Sequence, residues 1–249
     1  MYRRSLLLAA LACALSARRA RAAPAPVTLH ATDGVVVYGD LTRAGGVRRG
    51  SILLFHQAGS NRGEYETIAP RLAQAGFDTL AIDQRSGGGM WGRHNQTMDR
   101  LGGDPGYAAA LADLDAALTF AAADNPKGPL LVWGSSYSAA LVFLLASRRP
   151  ALVAAVLAFS PGEYIDGADI GAAAAMLHCP VFVTSASDAE EEGAAAALLG
   201  RVRSPLRRQY RPVAGVHGSS TLRTDRNAAG AEANWQAVLA FLDAVAPKR

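Results

Sequence analysis

Cysteine is almost missing from this chain: Cys13 and Cys179 are the only two in 249 residues. A scaffold stapled by several disulfides and a cysteine-rich metal site are both excluded, so an apolar core must hold the fold. Charge is sparse too, at 18% of residues against 50% hydrophobic, and Gly and Pro number only 25 and 12. That balance excludes disordered, collagen-like and coiled-coil chains. No internal repeat and no linker divides the sequence, and at this length one α/β domain is the simplest reading.

Acidic residues are absent from positions 1–22, which carry Arg3, Arg4, Arg18, Arg19 and Arg21. The basic start, the apolar stretch from Ser5 to Ala17 and the small-residue exit at Ala20-Arg21-Ala22 read as a secretory signal, with the mature domain spanning 23–249. The stretch is too short for a bilayer-spanning anchor. The expectation is an exported protein, periplasmic or extracellular, with no stable membrane insertion. The Arg3-Arg4 pair is similar to a twin-arginine signal but is also found in Sec leaders, so both routes stay open. Cys13 is a poor lipid acceptor, because Ala10-Leu11-Ala12 puts the large residue in the wrong place. Without the leader the overall charge of +4 disappears, leaving 20 basic residues against 21 acidic. The basic excess therefore says nothing about nucleic acid. Arg201, Arg203, Arg207, Arg208 and Arg211 form a local cluster without aromatic interleaving, read as a solvated face and not as a nucleic-acid site.

Past the leader, Val27–Thr32 and Val35–Leu41 flank Asp33-Gly34 and read as an antiparallel hairpin. Ile52–Phe55, Phe77–Ile82, Leu130–Trp133, Val153–Phe159 and Val181–Val183 are apolar runs without alternation, the pattern of parallel strands covered on both faces. Tyr65, Ile68, Ala69, Leu72 and Ala75 recur at helical spacing, as do Tyr107, Leu111, Leu114 and Leu118. The segment Ala139–Ala146 is apolar all round, as a central helix beneath a sheet would be. Tyr210–Val213 is read as a last strand, and Trp235, Val238, Leu239, Leu242 and Val245 as a terminal amphipathic helix. Strand–helix alternation of this kind builds a doubly wound α/β domain. Gln84–Pro105 and Pro161–Gly171 are irregular and leave the carboxyl ends of strands, where open α/β sheets place their ligands.

Gly134-Ser135-Ser136-Tyr137-Ser138 lies between a strand and the all-apolar helix. A nucleophile elbow needs this context: a sharp turn that strains the central residue and demands small residues two before and two after it. Ser136 would sit at the apex, over a helix N-terminus that favours developing negative charge.

At these residues the chain resembles the α/β-hydrolase family, and more loosely its small dienelactone-hydrolase-like branch. The family pattern is Gly-x-Ser-x-Gly, from which Ser138 departs. A serine at the apex, where the dienelactone branch often has cysteine, points to esterase-like chemistry. The resemblance implies a mostly parallel twisted sheet of about eight strands, helices on both faces, no large lid, and the order nucleophile, acid, base. It places the acid at Asp188, after the Val181 strand, and the base at His217, before the terminal helix. Asp188 also reads as a helix N-cap before Ala189-Glu190-Glu191, and Asp166 and Asp169 are the fallback acids. His217 would otherwise be a surface histidine. For the oxyanion hole the resemblance implies backbone N–H groups of Tyr137 and Ala58, with Gln57 as the alternative to Ala58. It makes Asp83-Gln84-Arg85-Ser86-Gly87 structural.

These features imply a secreted serine hydrolase acting on small to medium carboxylic esters, with no metal or organic cofactor. His56, Trp91 and Tyr164 are candidate pocket residues. Peptide, thioester or lactone substrates and acyl transfer use the same triad. A non-catalytic binding protein that kept the fold is the rival from another class, and a cofactor-free haloperoxidase-like activity a second. His178-Cys179 lacks partners at metal-ligand spacing. Gly87-Gly88-Gly89 lacks the residues of a phosphate loop. Oligomeric state is not legible.

Overall fold

The structure, a computed structural model, describes residues 23–248. The signal segment read at 1–22 lies outside them. Among the described residues eight strands form one sheet: β1 (Ala25–His30), β2 (Val36–Thr42), β3 (Gly50–Phe55), β4 (Phe77–Asp83), β5 (Leu130–Ser135), β6 (Val153–Phe159), β7 (Val181–Thr184) and β8 (Arg207–Gln209). Their spatial order is β1-β2-β4-β3-β5-β6-β7-β8. β1 and β2 form the antiparallel hairpin read from the sequence, and β2 runs antiparallel to β4. Every pairing from β4 onward is parallel. The last strand differs from expectation. β8 ends at Gln209, and Tyr210 adds only one further bond, from its N–H to Val183 O.

Among the described residues seven α-helices cover the sheet: α1 (Ala69–Gln74), α2 (Gln96–Leu101), α3 (Leu111–Asp124), α4 (Tyr137–Arg148), α5 (Ile170–Ala175), α6 (Ala189–Arg201) and α7 (Ala231–Val245). Two of the expected helices begin later than their apolar periodicity, each behind a short 3-10 turn, at Arg62–Tyr65 and Tyr107–Ala110. Pro70 sits in the first turn of α1, where a missing N–H costs nothing. α2 was not legible, because four of its six residues are polar and Met98 and Leu101 alone make no helical stripe. Asn95 creates it by capping Met98 N–H, and Gly102 ends it at φ 74°.

Successive residues of the central strands feed two cores. Leu53, Phe55, Val132, Val156 and Val183 pack with α3, α4, α5 and α6 on one face. Ile52, Leu54, Trp133, Leu157 and Phe182 pack with α1 and α7 on the other. The absence of alternation in these strands thus follows from burial on both faces. Edge strand β8 carries Arg207 and Arg208 exposed, which blunts a free edge against pairing with another chain. The sequence between β6 and β7 holds only short loops and the six-residue α5. Among the described residues no helix is long and apolar enough to cross a membrane.

Candidate active site

The loops after β3, β4, β5, β6, β7 and β8 all emerge at the carboxyl edge of the sheet. At the end of β5 the chain reverses into α4 through Ser136, which holds φ 58° and ψ −123°. A left-handed conformation in a non-glycine residue is strained and must be imposed by its surroundings. Here the Ser136 N–H donates to Phe159 O at 2.8 Å, and α4 begins at once. Gly134 is obligatory: a Cβ there would lie 2.2 Å from Ser138 O. Ser138, the departure from the family pattern, fits because its hydroxyl is used. It donates to His56 O at 2.6 Å and accepts from Gln84 Nε2 at 2.7 Å, tying the elbow to the loop after β3.

His217 lies with Nε2 2.8 Å from Ser136 Oγ, so the structure brings these two expected residues together. The acid is another matter. Asp188 does not meet the histidine. It is exposed, and its Oδ1 accepts the Glu191 N–H at 3.0 Å as the N-cap of α6. The carboxylate on His217 Nδ1 is that of Glu191, at 2.6 Å. The cause is local. The loop after β7 passes Ser185, Ala186 and Ser187 before α6 starts, and capping consumes Asp188. A glutamate three residues into the helix has the extra methylene to point back across the helix start, the geometry of a capping box turned toward a tertiary partner. The fallback acids fail as well: Asp169 caps α5 through Ala172 N–H, and Asp166 is exposed. The signal that could have found Glu191 is the spacing Asp188-x-x-Glu191 itself.

Burial opposes the charge on Glu191, but hydrogen bonds from His217, Ser160 and the Ala186 N–H outweigh it and hold its carboxyl down at about 2. His217 is shifted in the complementary direction. Its hydrogen bond to Glu191 raises it above the ordinary imidazole value against partial burial, helped by the charges of Glu191, Glu64 and Asp188. Ser160, at φ 54° after β6, supports the histidine loop through its hydroxyl, which accepts the Gly218 N–H at 2.9 Å.

Among the described residues the N–H groups of Ala58 and Tyr137 have no protein acceptor, as expected of oxyanion donors. The Gln57 N–H is occupied, donating to Glu64 Oε2 at 2.9 Å, which removes the alternative donor. The Gln57 side chain reaches the loop after β4 instead, its Nε2 3.6 Å from Met90 Sδ.

The three candidate pocket residues divide. His56 is fully buried, so it does not line a pocket. Its ring sits between Gln57 O and Asn95 Nδ2, and burial lowers its pKa. Trp91, at φ 60°, is anchored by other contacts. Its Nε1 donates to Ser60 Oγ at 2.8 Å, and the Arg223 and Arg226 guanidinium groups lie over its ring at 4.1 and 4.8 Å. Tyr164 is 37% exposed beside the acid. Burial and the charges of Glu191, Glu190 and Asp188 push its hydroxyl pKa up.

A strained serine ending the central strand of this sheet order, with a histidine beyond the last strand in contact with it, is the arrangement of the α/β-hydrolase fold. Residues 46–200, more than half of the chain, match the family described as Serine aminopeptidase, S33, and the chain belongs to that family. Similar solved structures include a dienelactone hydrolase from Anabaena variabilis, at TM-score 0.69 and 18% identity over 91% of this chain and 99% of the other. An esterase from Pyrococcus furiosus matches at TM-score 0.68 and 16% identity, over 90% of each chain. At such identities the likeness is one of fold. A monoacylglycerol lipase of Mycolicibacterium smegmatis is 27% identical over 113 residues, which is 45% of this chain and 38% of the lipase. The match thus spans well under half the length of that relative.

Proposed function

We propose that the protein is an exported serine hydrolase that cleaves carboxylic esters of small to medium substrates through an acyl-enzyme on Ser136. The observation that carries the reading is the unbroken chain from Ser136 Oγ to His217 Nε2 at 2.8 Å and from His217 Nδ1 to Glu191 Oε1 at 2.6 Å. Neutral His217 accepts the Ser136 proton as Oγ attacks the acyl carbonyl. Ala58 and Tyr137 N–H groups receive the negative charge that develops on the carbonyl oxygen. His217 then gives its proton to the departing alkoxide, and a water activated by the same imidazole releases the acid and restores Ser136. Glu191 orients the ring and stabilises its cationic form without taking the proton. The α4 N-terminus adds its dipole under the oxyanion.

Substrate size rests on the openness of the site. His217 keeps 43% of its side chain exposed, and only short loops and α5 stand between β6 and β7. Export rests on the basic and apolar pattern of residues 1–22. The esterase assignment is favoured by the serine nucleophile and is compatible with the names of the relatives.

The test labels the exported protein, which begins at Ala23 on this reading, with a fluorophosphonate probe and assays a p-nitrophenyl ester series. Wild type should label stoichiometrically and prefer short or medium acyl chains. Ser136→Ala should not label and should lose about three to six orders of magnitude in kcat, with an unchanged melting temperature. Wild-type-like hydrolysis by Ser136→Ala, or a wild type that does not label, overturns the assignment. A maximum at long chains with interfacial activation, or faster turnover of amides than esters, overturns the substrate class.

A further inference from the structure

Beneath the site lies a carboxylate that the proposed reaction does not use. Glu64, in the 3-10 turn after β3, is fully buried. Burying a carboxylate is costly unless donors surround it, and the donors here come from the loops that build the site. Oε1 accepts the Ser135 hydroxyl at 2.6 Å, one residue before the nucleophile. Oε2 accepts the Gln57 N–H at 2.9 Å, one residue before the oxyanion donor Ala58. Ser135 Oγ in turn accepts the Ser219 N–H at 2.8 Å, two residues beyond His217. Gly218 packs so closely on that hydroxyl that a Cβ would fall 2.4 Å from it.

We propose that Glu64 is a positioning residue for this hydrolysis. Its carboxylate is the acceptor that fixes the oxyanion loop and the elbow directly, and the histidine loop through Ser135 Oγ, in one geometry, and it adds a second negative charge to the surroundings of His217. The proposal rests on the serine-hydrolase reading above.

Hydrogen bonding favours the ionised form of Glu64. A backbone N–H can only donate, and Ser135, having accepted from Ser219, has Glu64 as the acceptor for its own proton. Ser60 Oγ, 3.4 Å from Oε2, already accepts from Trp91. Burial is the largest influence and leaves the Glu64 carboxyl above its ordinary value, while the hydrogen bonds from Ser135, the Gln57 N–H and Ser60 and the charge of Arg223 pull the other way. The Arg223 guanidinium donates to the backbone carbonyls of Gly63 and Glu64, and Tyr65, buried alongside, spends its hydroxyl on Phe55 O. Glu191 is in contact with the His217 ring, and the charges of Glu64 and Asp188 act on it in the same direction. By occupying the Gln57 N–H, Glu64 also selects Ala58 as the oxyanion donor of this loop.

The experiment compares wild type with Glu64→Gln, an isostere that keeps one oxygen for the Gln57 N–H. Both are titrated with a fluorophosphonate to count active serines, then assayed with p-nitrophenyl butyrate across pH. Ester hydrolysis and labelling by wild type test the underlying reading separately. Glu64→Gln should fold and label, lose about 10- to 100-fold in plateau kcat with little change in KM, and show its acid limb at lower pH. The shift has this sign because removing a nearby negative charge lowers the His217 pKa, so the neutral ring persists further into acid. A folded, labelled variant with wild-type kcat overturns the proposal. So does a slow variant whose acid limb has not moved, the pattern of a merely loosened core. If Glu64→Gln does not fold, Ser135→Ala, which keeps the charge and cuts it off from the elbow, should lower kcat with the acid limb in place. Wild-type kcat in Ser135→Ala would equally overturn it.

Discussion

Asp188 and Glu191 lie three positions apart, and the carboxylate expected on His217 from Asp188 comes from Glu191. A carboxylate directly after β7 is where a chain of this fold offers its acid, but α6 starts there and needs a cap. Asp is short and suits the cap, while Glu, one turn in, is long enough to reach His217. Substitution separates the two. Glu191→Gln leaves His217 without its anionic partner and should lower kcat by about 10³- to 10⁴-fold. Glu191 also raises the His217 pKa, so wild-type activity should fall with decreasing pH through a midpoint above the ordinary imidazole value. In the variant the residual activity should titrate at lower pH. Asp188→Asn preserves a capping oxygen and should keep kcat within about threefold, and Asp188→Ala should cost about 1 kcal/mol of stability in urea unfolding. Reversal of this ranking in a pH–rate series would return the acid to Asp188.

At the scale of elements, the elbow depends on how closely β5 and α4 approach. Gly134→Ala places a methyl 2.2 Å from Ser138 O, and the atoms it meets are all backbone of Ser138 and Ala139, which cannot swing aside as a side chain would. The variant should be destabilised by more than about 3 kcal/mol, read as a lost or strongly lowered unfolding transition. Ser138→Gly restores the family pattern yet should also destabilise, by about 1–3 kcal/mol. It leaves the buried Gln84 Nε2 with one acceptor fewer and His56 O with one donor fewer. A Ser138→Gly protein as stable as wild type would show that the hydroxyl is incidental. The motif was legible because strand, glycine, serine and apolar helix are adjacent in sequence. The service that Ser138 performs was not, since its partners lie 54 and 82 residues away.

Over the whole molecule, Arg85 joins regions that the sequence leaves far apart. Its guanidinium and backbone N–H meet Asp113 of α3, fully buried, and its outer nitrogens meet Asp33 in the hairpin turn. Burial raises the Asp113 carboxyl even with Arg85 beside it, so this charge depends on its partner. Arg85→Ala should cost about 3–5 kcal/mol in urea unfolding. Arg85→Met combined with Asp113→Asn should recover much of that, because no unpaired buried charge remains. Asp33 is 45% exposed at its side chain and adds little. A double variant no better than Arg85→Ala would mean that the loss came from packing.

Local order was readable from the chain alone. Uniformly apolar runs require a sheet covered on both faces, Asp33-Gly34 requires a turn, and Gly134 to Ser138 requires an elbow, because each of these constraints acts between near neighbours. Ser136 was legible for a related reason, since it sits at the junction of a strand and a helix that were already clear, whereas His217 followed only from the family order, the strand before it ending at Gln209 and not at Val213. Which carboxylate reaches the imidazole, that His56 is a buried strut, that Gln57 has no free N–H, and that Glu64 lies under three loops were decided only by tertiary structure. Those outcomes turn on side-chain reach and competition for hydrogen bonds between segments that folding alone brings together.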